Sequence, residues 1–180
     1  MDSLVRYGIL CQAGGFCDNV HNNMYIWAHR DAQGLCYRFA PWDMDMTWGA
    51  RTEMIGSAYD RWVAFSLLDR VLLLDAADAR ARYAALWVGL RQDVLSTENV
   101  TALLEGFSRQ MADSGAMQRN AARWGLAVDD TAGYAISAFA QMRFPVIDQA
   151  VERLLSEESP SFLDVAWRIE DELYPAILEP

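Results

Sequence analysis

Apolar side chains recur at three- and four-residue spacing through most of the chain, which predicts amphipathic helices. An early helix is predicted over residues 3–16, ending near Gly14 and Gly15. From residue 59 onward the spacing is sustained, beginning with the series Trp62, Phe65, Leu68 and Leu72.

Two short runs rich in aromatic residues lie between these helical stretches and predict strands. They cover residues 24–28 and 35–39, and residues 30–34 form a plausible hairpin turn in which Gly34 can take positive φ. The pattern therefore predicts an α+β fold, mainly α. A region of loops and a small β-hairpin in residues 1–58 precedes a helical region in residues 59–180.

Capping residues and prolines predict where the later helices begin and end. The predicted starts are Asp75 or Asp78, Ser96 with Glu98 in the first turn, Asp129 with Asp130, and Ser159 before Pro160. Pro145 is expected to kink or interrupt the helix that contains it.

Large side chains of the helical region carry two further predictions. The tryptophans are expected to be core anchors: Trp62, Trp87, Trp124 and Trp167. Four arginines are expected on solvated helix faces, with buried ion pairs or anion contacts as the alternative: Arg80, Arg82, Arg119 and Arg123.

Composition and charge limit the classes of protein to which the chain can belong. Hydrophobic residues make up 53% of the 180 residues, enough for a core, and the formal charge of −10 argues against nucleic acid as a partner. No apolar run is long enough to cross a bilayer, and no signal peptide opens the chain. All 15 basic residues are Arg, so the chain contains no Lys.

Three cysteines cannot all pair with one another, and we expect them to be reduced thiols. A zinc site made by Cys17, His21, His29 and Cys36 is an alternative, although these spacings match none of the common zinc patterns.

Polar side chains are concentrated between Asp18 and Asp45, in otherwise apolar surroundings. Asp18 is followed five residues later by Asn23, which is the spacing of the protein-kinase catalytic loop. There the carboxylate meets the attacking hydroxyl and the amide oxygen binds a metal ion. Asp and Asn are also common turn formers, so this spacing alone leaves a structural interpretation open.

Asp43 and Asp45 follow the predicted hairpin, between tryptophan and methionine side chains. A metal-binding carboxylate that follows the catalytic loop by two short strands reproduces the order of elements in protein kinases. The alternative is a turn whose acids cap backbone amides.

The chain resembles the CotH kinase family, which is named for a bacterial spore-coat protein. The resemblance rests on DNVHNNMYIW at residues 18–27 and PWDMDMTWG at residues 41–49. RARY at residues 80–83 and RNAARW at residues 119–124 extend it to roughly residues 1–155.

The resemblance implies a protein-kinase-like C-terminal lobe in which a hairpin lies beside the active site and a helical bundle follows. It makes Asp18 the candidate catalytic residue and Asn23, Asp43 and Asp45 the candidate ligands of Mg²⁺ or Mn²⁺. Asn22 competes with Asn23, which fits the spacing better. The parent would transfer the γ-phosphoryl of ATP to Ser or Thr hydroxyls of a protein substrate, such as a coat or surface protein.

Family members carry a preceding region with nucleotide-contacting strands and a basic residue for the phosphates. The chain has neither that region nor a Lys, so we expect residues 1–180 to be a partial domain, truncated at its N-terminus and inactive alone. A non-catalytic coat- or surface-binding module of the same fold is the alternative function. The compartment is not predicted.

Overall fold

A computed structural model describes residues 1–32, 34–49, 60–128 and 132–163. It is mainly helical with one small two-stranded antiparallel hairpin, which confirms the predicted α+β class. Chain order is helix α1, strands β1 and β2, and then a series of helices that pack on α1 and on one another.

Helix α1 (Asp2–Gly14) lies at the centre of the core and ends where the two glycines predict. Gly15 takes the left-handed conformation (φ 65°), and its N–H donates to the carbonyl of Cys11. Gly8 allows a close helix contact, because a Cβ there would lie 2.4 Å from a methyl carbon of Leu68.

The hairpin is longer than the sequence pattern predicts. Strands β1 (Met24–Asp31) and β2 (Gly34–Pro41) pair in register from Met24 opposite Pro41 to Asp31 opposite Gly34. The prediction of a turn over residues 30–34 was therefore wrong at its ends, because Arg30 and Asp31 pair with β2 instead. Gly34 has the expected positive φ, at 124°.

Residues 62–65 are not helical, and Phe65 has an extended backbone (φ −137°, ψ 91°), which corrects the prediction of a helix running from residue 59. The side chain of Gln12 in α1 binds both backbone groups of Val63, accepting from its N–H at 2.8 Å and donating to its carbonyl at 2.6 Å. Asp69 accepts from the Trp62 indole at 2.7 Å and from the Phe65 N–H at 2.9 Å. These hydrogen bonds to Gln12 and Asp69 hold residues 62–65 outside the helix.

Two helices follow, as the predicted division at the aspartates requires: α2 (Ser66–Leu73) and α3 (Ala79–Arg91). Asp75 provides the side-chain cap, because its carboxylate accepts from the N–H of Arg80 at 3.0 Å. Asp78 occupies the N-cap position without a side-chain cap bond.

Helix α4 (Thr97–Asp113) begins at the predicted cap, where Ser96 Oγ accepts from the N–H of Asn99. Helix α5 (Ala116–Trp124) comes next, followed by the long helix α6 (Ala132–Ser156). Pro145 lies inside α6 and does not interrupt it, so of the two predicted effects the interruption is wrong and the kink stays a prediction.

Some predictions fall outside the described residues. These are the turn residue Gln33, the loop up to Ser57, the helix start at Asp129 and Asp130, and Trp167. Residues 161–163 are helical, as Ser159 and Pro160 predict, and the residues after 163 lie outside the described ranges.

Arg80 does not have the environment that the sequence predicts for it. Arg80, expected on a solvated face, donates to the carbonyls of Leu72 and Leu73 and to those of Glu157 and Glu158, so it caps two chain segments.

Of the tryptophans predicted as core anchors, Trp87 is 1% exposed and Trp62 packs against the core. Trp124 is 65% exposed, so that prediction was wrong. Its ring lies against the guanidinium of Arg123 at the surface, 5.4 Å from centroid to Cζ.

None of the helices in the described ranges is long and apolar enough to span a membrane.

Candidate active site

A tight turn after α1 carries the first candidate residues. Phe16 is fully buried, and a Cβ on Gly14 would lie 1.9 Å from its ring. Glycine at position 14 therefore lets the ring fold back against the end of the helix. The 3₁₀ turn Asp18–Val20 follows at once.

Asp18 is half-buried and is oriented by the two asparagines that competed in the sequence. Asn22 donates to one carboxylate oxygen at 2.9 Å, and Asn23 donates to the other at 2.6 Å. A carboxylate has about four lone-pair sites, so Asp18 can still accept further hydrogen bonds. Asn23 is half-buried whereas Asn22 is exposed, so Asn23 is the more firmly held of the pair.

Asn19 joins the loop of Asp18 to the segment that carries Asp43. Its side-chain amide donates to the carbonyls of Trp42 at 2.6 Å and Asn23 at 2.9 Å, with the Asp43 carbonyl at 3.5 Å. The Trp42 N–H donates to the Asn23 carbonyl at 3.0 Å. The two candidate segments, 20 residues apart in sequence, are thus neighbours in space.

Helix α1 supports this junction from below. The Tyr7 hydroxyl donates to the Asn19 carbonyl at 2.6 Å, and the Trp48 N–H donates to the Gly14 carbonyl at 2.8 Å. Both ends of the site are therefore tied to the most buried helix of the core.

Asp43 and Asp45 both lie at the surface, in the loop that follows β2. Asp43 has a left-handed backbone (φ 50°), a conformation that Asp and Asn adopt more readily than other non-glycine residues. Thr47 closes the loop by donating to the Met44 carbonyl at 2.6 Å.

The carboxylates of Asp18, Asp43 and Asp45 do not come within 4.8 Å of one another as a group. The structure brings Asp18 directly to Asn23 and brings the backbone of Asp43 beside Asn19. It shows no contact that ties Asp45 to the other three candidate residues.

Cys17 precedes Asp18 and is a poor candidate for nucleophilic chemistry. Burial raises the pKa of its thiol, and the neighbouring Asp18 adds to the shift, although Arg143 and Arg61 oppose it. The thiolate is the reactive form of cysteine, so Cys17 is expected to be unreactive at neutral pH.

Exposed aromatic side chains lie on the hairpin and next to Asp43. Tyr25 and Trp42 contact each other with ring centroids 5.7 Å apart, and they are 55% and 59% exposed. Trp27 and Tyr37 on the hairpin are also half-exposed or more.

The four-residue zinc site considered from the sequence does not form. The strand register places His29 opposite Cys36, and the group of possible ligands there is His29, Asp31 and Cys36. Cys17 and His21 are not part of it, because they precede β1 whereas the group lies near the tip of the hairpin.

Sequence reasoning missed Asn19, which holds the site together. The sequence shows Asn19 only as one asparagine in a short polar run, and such a residue is equally well explained as a turn former. Its three carbonyl partners come from residues four and more than 20 positions away, and such contacts cannot be read from local spacing.

Of three comparisons with known proteins, one found a match. A family model described as CotH kinase protein matches residues 1–143. Searches of curated proteins and of solved structures found no match.

Proposed function

Because the chain belongs to the CotH kinase family, we propose that it carries the catalytic-loop and metal-loop half of a protein kinase. The whole enzyme would transfer the γ-phosphoryl of ATP to Ser or Thr hydroxyls of a protein, such as a coat or surface protein.

Asp18 is the proposed catalytic residue. Its carboxylate is oriented through both oxygens by Asn22 and Asn23 and keeps acceptor capacity for a substrate hydroxyl. A carboxylate in this position would align the attacking oxygen and finally accept its proton.

Asn23, Asp43 and Asp45 are the proposed holders of Mg²⁺ or Mn²⁺. Oxygen donors suit these hard cations, and the donation from Asn23 Nδ2 to Asp18 leaves Asn23 Oδ1 as the ligand atom. Asp43 and Asp45 are exposed, so a cation that keeps several waters could reach them. The bound ion would supply positive charge to the phosphates of ATP.

The observation that carries the proposal is the bonding of Asn19. Phosphoryl transfer depends on positioning and electrostatic stabilisation, so a catalytic carboxylate and a metal carboxylate must keep a fixed separation. A buried amide that binds the carbonyls of Asn23, Trp42 and Asp43 supports that requirement.

The test uses the whole enzyme of this proposal, the parent protein in which residues 1–180 would be one part. With ATP, Mn²⁺ and casein as a generic acceptor, we expect phosphoserine or phosphothreonine that EDTA abolishes. Asp18→Asn should lower the rate at least about 100-fold, and the exposed Asp93→Asn should leave it unchanged. Equal rates in the wild-type and Asp18→Asn proteins would contradict the role of Asp18.

A binding module is the second candidate function, favoured by the exposed aromatic rings of Tyr25, Trp27, Tyr37 and Trp42. Exposed apolar patches often mark protein interfaces. If binding is the whole function, the parent will show no metal-dependent transfer, and substituting Trp27 and Tyr37 by Ala will release its protein partner while Asp18→Asn will not.

A further inference from the structure

The tip of the hairpin holds three side chains of metal-binding type on one face. His29 and Asp31 are two residues apart in β1, so they point to the same face of the ladder, and Cys36 lies opposite His29 in β2. One ligand atom from each lies within 4.8 Å of the other two.

The distances in this group resemble those of a tetrahedral zinc site. Cys36 Sγ lies 3.2 Å from Asp31 Oδ2, and His29 Nε2 lies 4.0 Å from the same oxygen. Zinc–ligand bonds of about 2.0–2.3 Å in tetrahedral geometry separate neighbouring ligand atoms by roughly 3.5 Å. The observed separations lie on either side of that value, so small side-chain rotations would suffice.

We propose that His29, Asp31 and Cys36 bind a divalent transition metal ion, and that Zn²⁺ is the ion these three donors favour. Imidazole, carboxylate and thiolate are the ligands that zinc takes in proteins, and Mg²⁺ takes oxygen donors instead. Three protein ligands leave the fourth position to water.

The accessibility of the group allows a metal ion to enter. The side chains of His29 and Asp31 are 41% and 40% exposed, and Cys36 is half-buried. The Cys36 thiol donates to Asp31, and this hydrogen bond raises its pKa. Binding would displace the thiol proton to solvent and form a metal–thiolate bond, so one proton is released per ion.

A metal ion bound at this place would stabilise the hairpin. Near the base of the hairpin, β2 packs against α1. The ring of Phe39 lies beside that of Tyr7, and the backbone N–H of Phe39 donates to Ser3 Oγ. An isolated two-stranded hairpin is marginally stable in water. A metal ion bridging His29 and Asp31 of β1 to Cys36 of β2 would fasten the distal end and fix its register.

This site is separate from the proposed active site. His29 lies five residues beyond Met24, which at about 3.3 Å per residue is roughly 16 Å along the strand. The proposal therefore does not depend on the kinase function, and its test uses neither ATP nor phosphoryl transfer.

The test is a Co²⁺ titration of the reduced 180-residue chain in the presence of excess Mg²⁺. We expect one Co²⁺ per chain with a thiolate-to-cobalt charge-transfer band and the strong visible bands of four-coordinate cobalt. Zn²⁺ should displace the Co²⁺ and remove these bands. Cobalt bound only by Asp43 and Asp45 would give no charge-transfer band, because those residues provide no sulfur.

Substitutions identify the ligands. Cys36→Ser should abolish the charge-transfer band, and His29→Gln or Asp31→Asn should weaken Zn²⁺ binding about 100-fold or more. The matched controls Cys17→Ser and Asp43→Asn should keep the full spectrum. Absence of the band in the wild-type chain, or its survival in Cys36→Ser, would overturn the proposal.

Discussion

Polar side chains serve different purposes in the hairpin region (residues 16–49) and in the described part of the helical region (residues 60–128 and 132–163). In the helical region, buried polar groups bind backbone and indole partners. Asp69 is fully buried and binds Trp62 and Phe65, and Arg143 is fully buried and donates to Gln12 and Arg61. Such groups hold the fold.

In the hairpin region the acids Asp43 and Asp45 stand at the surface, and aromatic rings are exposed beside them. Asn19 and Thr47 are buried polar residues there: Asn19 holds the two loops together, and Thr47 closes the second loop by donating to the Met44 carbonyl. Burial and saturated hydrogen bonds therefore mark the structural acids of this protein, whereas exposed acids on a firmly held loop remain available to a ligand.

Among the polar side chains of the two regions, the largest effect on stability is expected at Asp69. Asp69→Ala should lower the free energy of unfolding by about 3 kcal/mol, because the buried N–H of Phe65 and the partly buried indole N–H of Trp62 both lose their acceptor. Urea denaturation of the 180-residue chain measures the change. The exposed Asp93→Ala serves as control and should shift stability by less than about 0.5 kcal/mol. Equal, small effects from both substitutions would remove the distinction between the regions.

Asn19→Ala should have an intermediate effect. Loss of its amide leaves the carbonyls of Asn23 and Trp42 without this donor and should destabilise the chain by about 2 kcal/mol. In the parent enzyme it should also raise the half-saturating Mn²⁺ concentration several-fold, because the two loops lose their connection. A stability loss with unchanged Mn²⁺ dependence would make Asn19 a structural residue only.

The smallest effect is expected at Trp124. Its side chain is 65% exposed, so Trp124→Ala should change the free energy of unfolding by less than about 0.5 kcal/mol. Trp87 is the matched comparison, since it is 1% exposed and its indole donates to Asp148. Trp87→Ala should cost about 3–5 kcal/mol. A large loss in Trp124→Ala would show that its surface is covered by a segment or partner.

Features set by neighbouring residues could be predicted from the sequence. The end of α1 at Gly15, the Ser96 cap and the division between α2 and α3 are of this kind, since each depends on the conformational preference of one or two residues. The pairing of Asp18 with Asn23 also follows from a short spacing.

Features set by distant contacts could not be predicted. The non-helical segment around Val63 depends on Gln12, 51 residues earlier, and propensity alone favours a helix there. The hairpin group of His29, Asp31 and Cys36 depends on strands that run to Asp31, whereas local turn propensity placed Asp31 in the turn. The exposure of Trp124 depends on which helix face finds a partner.

Substituting Asp43 distinguishes an acid that binds a ligand from an acid that holds the fold. Asp43→Asn removes the charge yet retains a residue that tolerates the left-handed backbone at φ 50°. The variant should therefore unfold within about 0.5 kcal/mol of the wild type. In the parent enzyme the same substitution should lower phosphoryl transfer at least about 100-fold. A destabilised Asp43→Asn protein that transfers phosphate at the wild-type rate would contradict the account.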